Sequence, residues 1–265
     1  HYSQIELTNN SGYKLLQGID KVKDQSYFLC QLNQKQLSKI LFPIGHLKKS
    51  EVRDIAKKNN LITADKKDSQ GLCFVGKIRL PEFLQQKLKK KTGDIIEIPS
   101  NSKVFKFKNQ DNQSLLDELS KKYKFSKTDG NVIGEHNGAY YYTIGQRKGL
   151  AIGGYDEPIF VIGIDTKSNN IFVGKGKNHP GLIKKAIKIE IATINWVNDS
   201  YNIDLIKTLK IKARIRYRQP LQDVILHIYG KKLYVEFKKY QTAVTSGQFL
   251  ALYHKNELIA SSVIP

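Results

Sequence analysis

The chain has 265 residues, with 44 Lys and Arg against 24 Asp and Glu, and so a formal charge of +20. At 40% hydrophobic and 10% aromatic its composition is globular rather than disordered, and the length suffices for one large domain or two to three small ones. No apolar run approaches the ~18 residues of a membrane span, and two cysteines, Cys30 and Cys73, exclude a disulfide framework and offer no zinc spacing.

Residues 1–30 read as a hairpin, Gln4–Thr8 and Tyr13–Gly18, around a turn at Asn9-Asn10-Ser11-Gly12. Two helices follow. Gln34–Leu41 ends before Pro43, and Glu51–Lys58, with Ser50 as its N-cap, carries an apolar stripe of Val52, Ile55 and Ala56. A polar loop, Asp65–Gly71, leads to Leu72-Cys73-Phe74-Val75-Gly76, and Pro81 suits the first turn of a short helix running to Leu88. From about residue 92 the periodicity becomes two. Asp94–Ile98, Val104–Lys108, Ala139–Ile144, Ile159–Asp165 and Ile171–Gly174 read as strands, interrupted by a charged insert at Asn109–Asn131 with a helix over Leu115–Tyr123. Beyond Leu182 everything reads as strand: Ala186–Trp196, Lys207–Arg218, Asp223–Tyr229, Lys232–Phe237, Phe249–His254 and Glu257–Ile264. Regular short strands with tight turns predict a small antiparallel barrel or sandwich at this end.

The chain opens at His1 and holds no methionine, which reads as a fragment or a processed form. No charged-then-apolar leader is visible at its start, so the expected compartment is the cytoplasm, with an organelle as the alternative. The basic excess is dominated by lysine, so charge alone argues only weakly for a nucleic-acid partner.

Local patterns say more. In a strand over Lys210–Arg218, the even positions Lys210, Lys212, Arg214, Arg216 and Arg218 share one face, about 6.6 Å apart, while Ile211, Ala213 and Ile215 face inward. That spacing suits successive phosphates of an extended nucleic-acid strand; the other reading is a solvated sheet face. Residues 166–265 carry 17 basic and 6 acidic side chains, a net of +11. A second cluster, Thr143-Ile144-Gly145-Gln146-Arg147-Lys148-Gly149-Leu150, presents Arg147 and Lys148 between glycines that let a backbone approach a ligand closely; a charged turn fits as well. Cys73 follows a polar, lysine-containing loop that favours its thiolate, although a cysteine beside Leu72, Phe74 and Val75 also fits an apolar filler. Cys30 fits the filler role better. No histidine shows metal spacing, and His136 reads as a turn residue. No phosphate-cradling loop or dinucleotide fingerprint is present.

Several segments together resemble one family, the tRNA-specific 2-thiouridylases (the MnmA/TrmU group). They are Lys23-Asp24-Gln25-Ser26-Tyr27-Phe28-Leu29, Leu41-Phe42-Pro43-Ile44-Gly45, Lys67–Gly76, Gly134-Glu135-His136-Asn137-Gly138, Thr143–Leu150 with Gly153-Gly154, His179-Pro180-Gly181, and Arg216-Tyr217-Arg218-Gln219. Their order and approximate spacing hold over nearly the whole chain.

The resemblance implies an α+β multidomain protein. Residues 1–78 are then the end of an α/β PP-loop domain of the adenine nucleotide α-hydrolase type, 79–180 a mixed central tRNA-binding domain, and 181–265 a C-terminal antiparallel β-barrel. It also implies ATP-dependent transfer of sulfur to C2 of the wobble uridine of tRNA. ATP adenylates the uridine oxygen, and a persulfide on Cys73, charged by a sulfur-relay donor protein, delivers sulfur. A second cysteine releases it by forming a disulfide. The family's Ser-Gly-Gly-x-Asp-Ser loop, which binds ATP, and that second cysteine are absent here, so this chain alone is expected to bind tRNA without completing the reaction. His1, Lys23, Asp24, Gln25, Arg216, Tyr217 and Gln248 match tRNA-contacting stretches; Arg147, Lys148, Arg214 and Arg218 join them from the charge pattern. Ser246, Ser261 and Ser262 depart from the family's usual residues. The rival reading is a non-catalytic RNA-binding module with a translation-factor-like barrel. No membrane and no metal enter either reading.

Overall fold

A computed structural model describes residues 1–8, 12–66, 80–106 and 111–265. The chain forms two compact units. The first comprises 1–67, 186–239 and 245–265; the second comprises 68–185 and 240–244.

The first unit begins with the expected hairpin, β1 (Ser3–Leu7) and β2 (Tyr13–Gln17), in antiparallel register from Ser3 opposite Gln17 to Leu7 opposite Tyr13. Helix α1 (Gln34–Leu37) is shorter than the sequence predicts. Asn33 caps it, accepting from the Gln36 amide while the Gln36 side chain takes the Asn33 N–H, and Leu37 is its buried residue. Helix α2 (Lys49–Lys58) starts two residues earlier than expected: Lys48, not Ser50, is the N-cap, and Glu51 accepts the Lys48 N–H at 2.5 Å. Val52, Ile55 and Ala56 do line one side of α2, yet none of them is buried. Between the helices, Gly45 lies against β1 so closely that a Cβ there would sit 1.6 Å from the Ser3 carbonyl oxygen, and its own carbonyl accepts from Ile19 N at 3.0 Å. Only glycine fits that crossing.

The second unit contains α3 (Leu80–Gln85), β3 (Gly93–Glu97), α4 (Asn112–Leu119), β4 (Asn131–His136), β5 (Ile159–Asp165) and β6 (Asn170–Lys175). Its four-stranded sheet has the order β4-β3-β6-β5, antiparallel except for the parallel β3/β6 pair. Alternation along β3 sends Ile95 to one core cluster with Val161, Ile171 and Val173, and Ile96 to another with Phe105, Ile162 and Phe172. Two strand expectations fail here. Ala139–Ile144 instead begins with a 3-10 turn at Ala139–Tyr141, closed by Tyr141 N to Gly138 O and anchored by Ala139 N to the Asn169 side chain. Where Val104–Lys108 is expected as a strand, Lys103–Phe105 form a single 3-10 turn capped by the Ser102 hydroxyl, and residues 107–108 lie outside the described residues. The strand at β4, by contrast, emerges directly from the charged insert. His136 is the buried end of β4 rather than a turn residue, and its Nδ1 accepts from Gly138 N at 3.0 Å.

The chain returns to the first unit along β7 (Ile183–Glu190), followed by β8 (Asn195–Trp196), α5 (Ile203–Ile206), β9 (Ile211–Arg214), β10 (Gln222–Tyr229), β11 (Lys232–Thr242), β12 (Phe249–His254) and β13 (Glu257–Val263). The hydrogen-bonded path is β1-β2-β13-β12-β9-β10-β11-β7, with β8 attached to β13. That path is open among the described residues, where the sequence reading expects a small antiparallel barrel or sandwich. The N-terminal hairpin belongs to this same sheet, because β2 pairs with β13 through Leu16 opposite Glu257 and Leu15 opposite Leu258. The long strand expected over Lys207–Arg218 is cut to four residues. Asn202 caps the short α5 ahead of it, and after Arg214 the amide of Ile215 turns to the Gln219 side chain at 2.8 Å instead of a neighbouring strand. Arg218 then takes φ +66°.

Candidate nucleic-acid interface

In the first unit the structure gathers three separated stretches: 23–28, 214–217 and 248–253. Their centre is buried and polar. The Asp24 carboxylate accepts from Gly18 N at 3.2 Å and Ser26 N at 3.1 Å through Oδ1, and through Oδ2 from Gln17 Nε2 at 2.8 Å and from Arg214 Nη2. Arg214 also donates to Tyr253 from Nε at 3.0 Å and Nη2 at 2.7 Å, and to Ser26 Oγ at 2.9 Å. Burial pushes the Asp24 carboxyl upward, but the guanidinium and these donors outweigh it and hold the carboxyl below its usual range. Burial, helped by the nearby Asp24 charge, raises the Tyr253 phenol against the lowering pull of the Arg214 guanidinium and the Ser26 hydrogen bond.

Beside this centre, the Tyr27 hydroxyl lies 3.1 Å from Ile215 O and 3.0 Å from Phe249 O, and accepts from Phe249 N at 3.3 Å. One phenol thereby ties the residues adjoining Arg216 to those adjoining Gln248. The Phe28 and Tyr217 rings pack with centroids 4.3 Å apart. The Gln25 amide oxygen accepts from Tyr2 N at 2.9 Å, and Gln25 N donates to Tyr2 O at 2.9 Å, which places exposed His1 beside the same stretch.

The five-cation face expected over Lys210–Arg218 does not form. Lys210 and Lys212 are exposed, and Lys212 pairs with Asp223 at 2.8 Å. Arg214 is 3% exposed because the Asp24–Tyr27 stretch covers that side of β9, and Asp24 is 2% exposed in turn. The side chains of Arg214 and Asp24 therefore face each other inside the protein and not a ligand surface, a correction to both expectations. Arg216 and Arg218 are exposed but lie beyond the strand, Arg218 with its guanidinium 5.4 Å over the Tyr217 ring. Gln248 is exposed, Tyr217 and Gln25 are half-buried, and Lys23 is half-buried beside them.

Arg147 and Lys148 belong to the second unit and are exposed there. Their loop is pinned by Gly145 N to Val161 O at 2.7 Å, Val161 N to Gln146 O at 2.9 Å, and Gln146 Nε2 to Lys148 O at 2.9 Å. Gly145 has φ +82°, and a Cβ would fall 2.2 Å from that of Ala243. Arg147 and the glycines 149, 153 and 154 line a cavity of about 330 Å3 that also holds Asp156 and Glu157. The mixed charge distinguishes it from a purely cationic phosphate cradle.

Cys30 is fully buried, its thiol pushed up to about 11 by burial, so it is inert packing at neutral pH. Cys73 and the rest of Lys67–Gly76 lie outside the described residues. The sequence reading assigned no role to Gln17, Ser26, Tyr27 and Tyr253, although Ser26 and Tyr27 lie in one of its motifs; their contacts join residues up to 227 positions apart.

Comparison with known proteins gives three family-model matches: a tRNA methyl transferase HUP domain over residues 1–77, a tRNA methyl transferase PRC-barrel domain over 117–175, and an aminomethyltransferase beta-barrel domain over 186–264. Among similar proteins, one from Christiangramia forsetii is 52% identical over 270 residues, covering all of this chain and 68% of the relative. Others from Flavobacterium johnsoniae and Karelsulcia muelleri are each 50% identical, again over the whole chain and 68% of the relative. All three are named tRNA-specific 2-thiouridylase MnmA.

Proposed function

Because the chain belongs to the tRNA-specific 2-thiouridylase family, we propose that it holds tRNA and carries the sulfur in an ATP-dependent exchange of oxygen for sulfur at C2 of the wobble uridine. The observation that carries this reading is the convergence of Lys23, Gln25, Arg216, Tyr217 and Gln248 around one buried anchor in the first unit. Lysine and arginine side chains there meet phosphates, while Tyr217 and Gln25 offer a ring face and an amide to bases or sugars. Arg147 and Lys148 supply further cations on the second unit's loop.

In this reading ATP adenylates the uridine oxygen and AMP departs when the terminal sulfur of a Cys73 persulfide attacks C2; a second cysteine then frees the sulfur by forming a disulfide with Cys73. A sulfur-relay donor protein recharges the site once that disulfide is reduced. The division into a catalytic segment (1–78), a central tRNA-binding segment (79–180) and a C-terminal barrel segment (181–265) belongs to the same reading, and the ranges of the family models support it.

Replacing Cys73 with Ser in the complete gene product tests the proposal. Thiouridine in cellular tRNA is expected to disappear while tRNA affinity stays unchanged. An undiminished thiouridine level removes the catalytic assignment and leaves an RNA-binding module.

A further inference from the structure

Outside the interface described above, the second unit holds a small cavity of about 90 Å3 whose lining includes Lys121, Tyr123, Lys184, Lys185, Tyr240 and Glu118. Two of its lysines are already engaged. Lys121 Nζ lies 3.3 Å from Glu118 and 5.9 Å over the Tyr123 ring, and Lys185 Nζ lies 5.5 Å over the Tyr240 ring. Lys184 differs: among the described residues no carboxylate pairs with it. It is half-buried at the start of β7, and burial, reinforced by the nearby charge of Lys122, pushes its ammonium down to about 8. Holding a cation out of water beside a second cation is unfavourable; losing its proton relieves the cost, and an anion arriving from outside offsets it while keeping the lysine charged.

The size of the cavity limits the anion. At about 90 Å3 the cavity suits a small anionic group such as a phosphate. A lysine ammonium is a compact point charge that meets phosphate oxygens without a fixed geometry. At the rim, Tyr240 is 58% exposed, leaving ring surface on which an adjacent base can stack. A carboxylate from a protein would satisfy the charge but give the ring nothing, whereas RNA presents a phosphate and a base side by side.

We propose that Lys184 is the centre of a phosphate subsite for the RNA backbone, with Tyr240 as its stacking rim. The subsite rests on the tRNA-binding reading given above and extends it to a second surface.

Binding of unmodified tRNA across a series of KCl concentrations tests it, with wild type, Lys184→Gln and Lys184→Arg compared and thermal unfolding used to confirm that each is folded. The Lys184→Gln protein is expected to show a log Kd against log salt slope shallower by about one, and affinity about five- to tenfold lower at ~0.1 M salt, while Lys184→Arg keeps the wild-type slope. A wild-type slope in Lys184→Gln overturns the subsite and leaves the tRNA-binding reading standing; salt-insensitive or absent binding by wild type overturns both. A second readout is free of any folding effect. Titrating inorganic tripolyphosphate into wild type is expected to move the Lys184 side-chain NMR resonance and raise its pKa from about 8; an unmoved resonance at saturating tripolyphosphate counts against the subsite.

Discussion

Arg214 and Lys184 are both cations withdrawn from water, and the two units treat them in opposite ways. Around Arg214 the fold supplies a carboxylate, two hydroxyls and an aromatic face, so the charge is spent inside the protein. Around Lys184 it supplies tyrosines and more lysines, with no carboxylate paired to it among the described residues. One cation is part of the scaffold that holds Lys23, Gln25 and Arg216 in place; the other is left for a ligand to neutralise. A net charge of +20 therefore hides two functions that composition cannot separate.

The largest test of that contrast is Arg214→Met, which strands the Asp24 carboxylate without its partner. Loss of about 3–5 kcal/mol of unfolding free energy is expected in a urea titration. Adding Asp24→Asn to it should restore part of the loss, because the orphaned charge is gone; losses that simply add would show that the pair is not coupled.

The pH dependence of Asp24→Asn comes next. The folded carboxyl sits below its usual value, so its contribution is present above the ordinary carboxylate pKa of about 3.9 and disappears as pH falls through the lower folded value. Wild type should lose stability steeply below about pH 4, whereas Asp24→Asn, already weaker at pH 7, should decline less over that interval. Parallel acid limbs would assign the acid sensitivity to other groups.

How much of this was legible in the sequence follows from distance along the chain. The hairpin, β3, β5, β6, β10, β12 and β13 could be read because their signals are local alternations and turns. Assigning Arg214 to an exposed face failed because its partner lies 190 residues away, and nothing in Lys210–Arg218 announces that Asp24 will cover the strand. The cut of that strand was equally hidden, since it depends on the Gln219 side chain capturing the Ile215 amide. Lys23, Asp24 and Gln25 were legible only as a motif, and the motif did not say that the middle residue points inward while its neighbours remain at the surface.

A smaller effect is expected from Tyr27→Phe, which deletes the hydroxyl shared by Ile215 and Phe249. It should cost about 1 kcal/mol of stability and weaken tRNA binding more than it alters the melting transition, because the loosened stretches carry Arg216 and Gln248. Unchanged affinity would make the phenol a packing element only.

The smallest expected effect has the opposite sign. The Lys184 ammonium has a folded pKa of about 8, below the ordinary lysine value of about 10.4, so the unfolded chain binds more protons between those values and wild-type stability rises with pH there. Glu118 and Lys121 line the same cavity, and Lys122 adds its charge. Lys184→Gln should abolish the rise and be slightly more stable than wild type near pH 7. A destabilised Lys184→Gln protein would mean that the lysine is integral to the core, as Arg214 is.

The pairing of β2 with β13 has a consequence in time. Leu16 must wait for Glu257 before that edge is satisfied, and at roughly 5–20 residues per second a ribosome takes on the order of tens of seconds to make the intervening chain. Through that interval the first hairpin offers an unpaired strand edge, and the stretches it helps to position have nothing to dock against. The surface read here as the tRNA interface is thus assembled last, when the final strands emerge, and a chain stopped short of β13 would leave its hairpin edge open to other strands rather than to RNA.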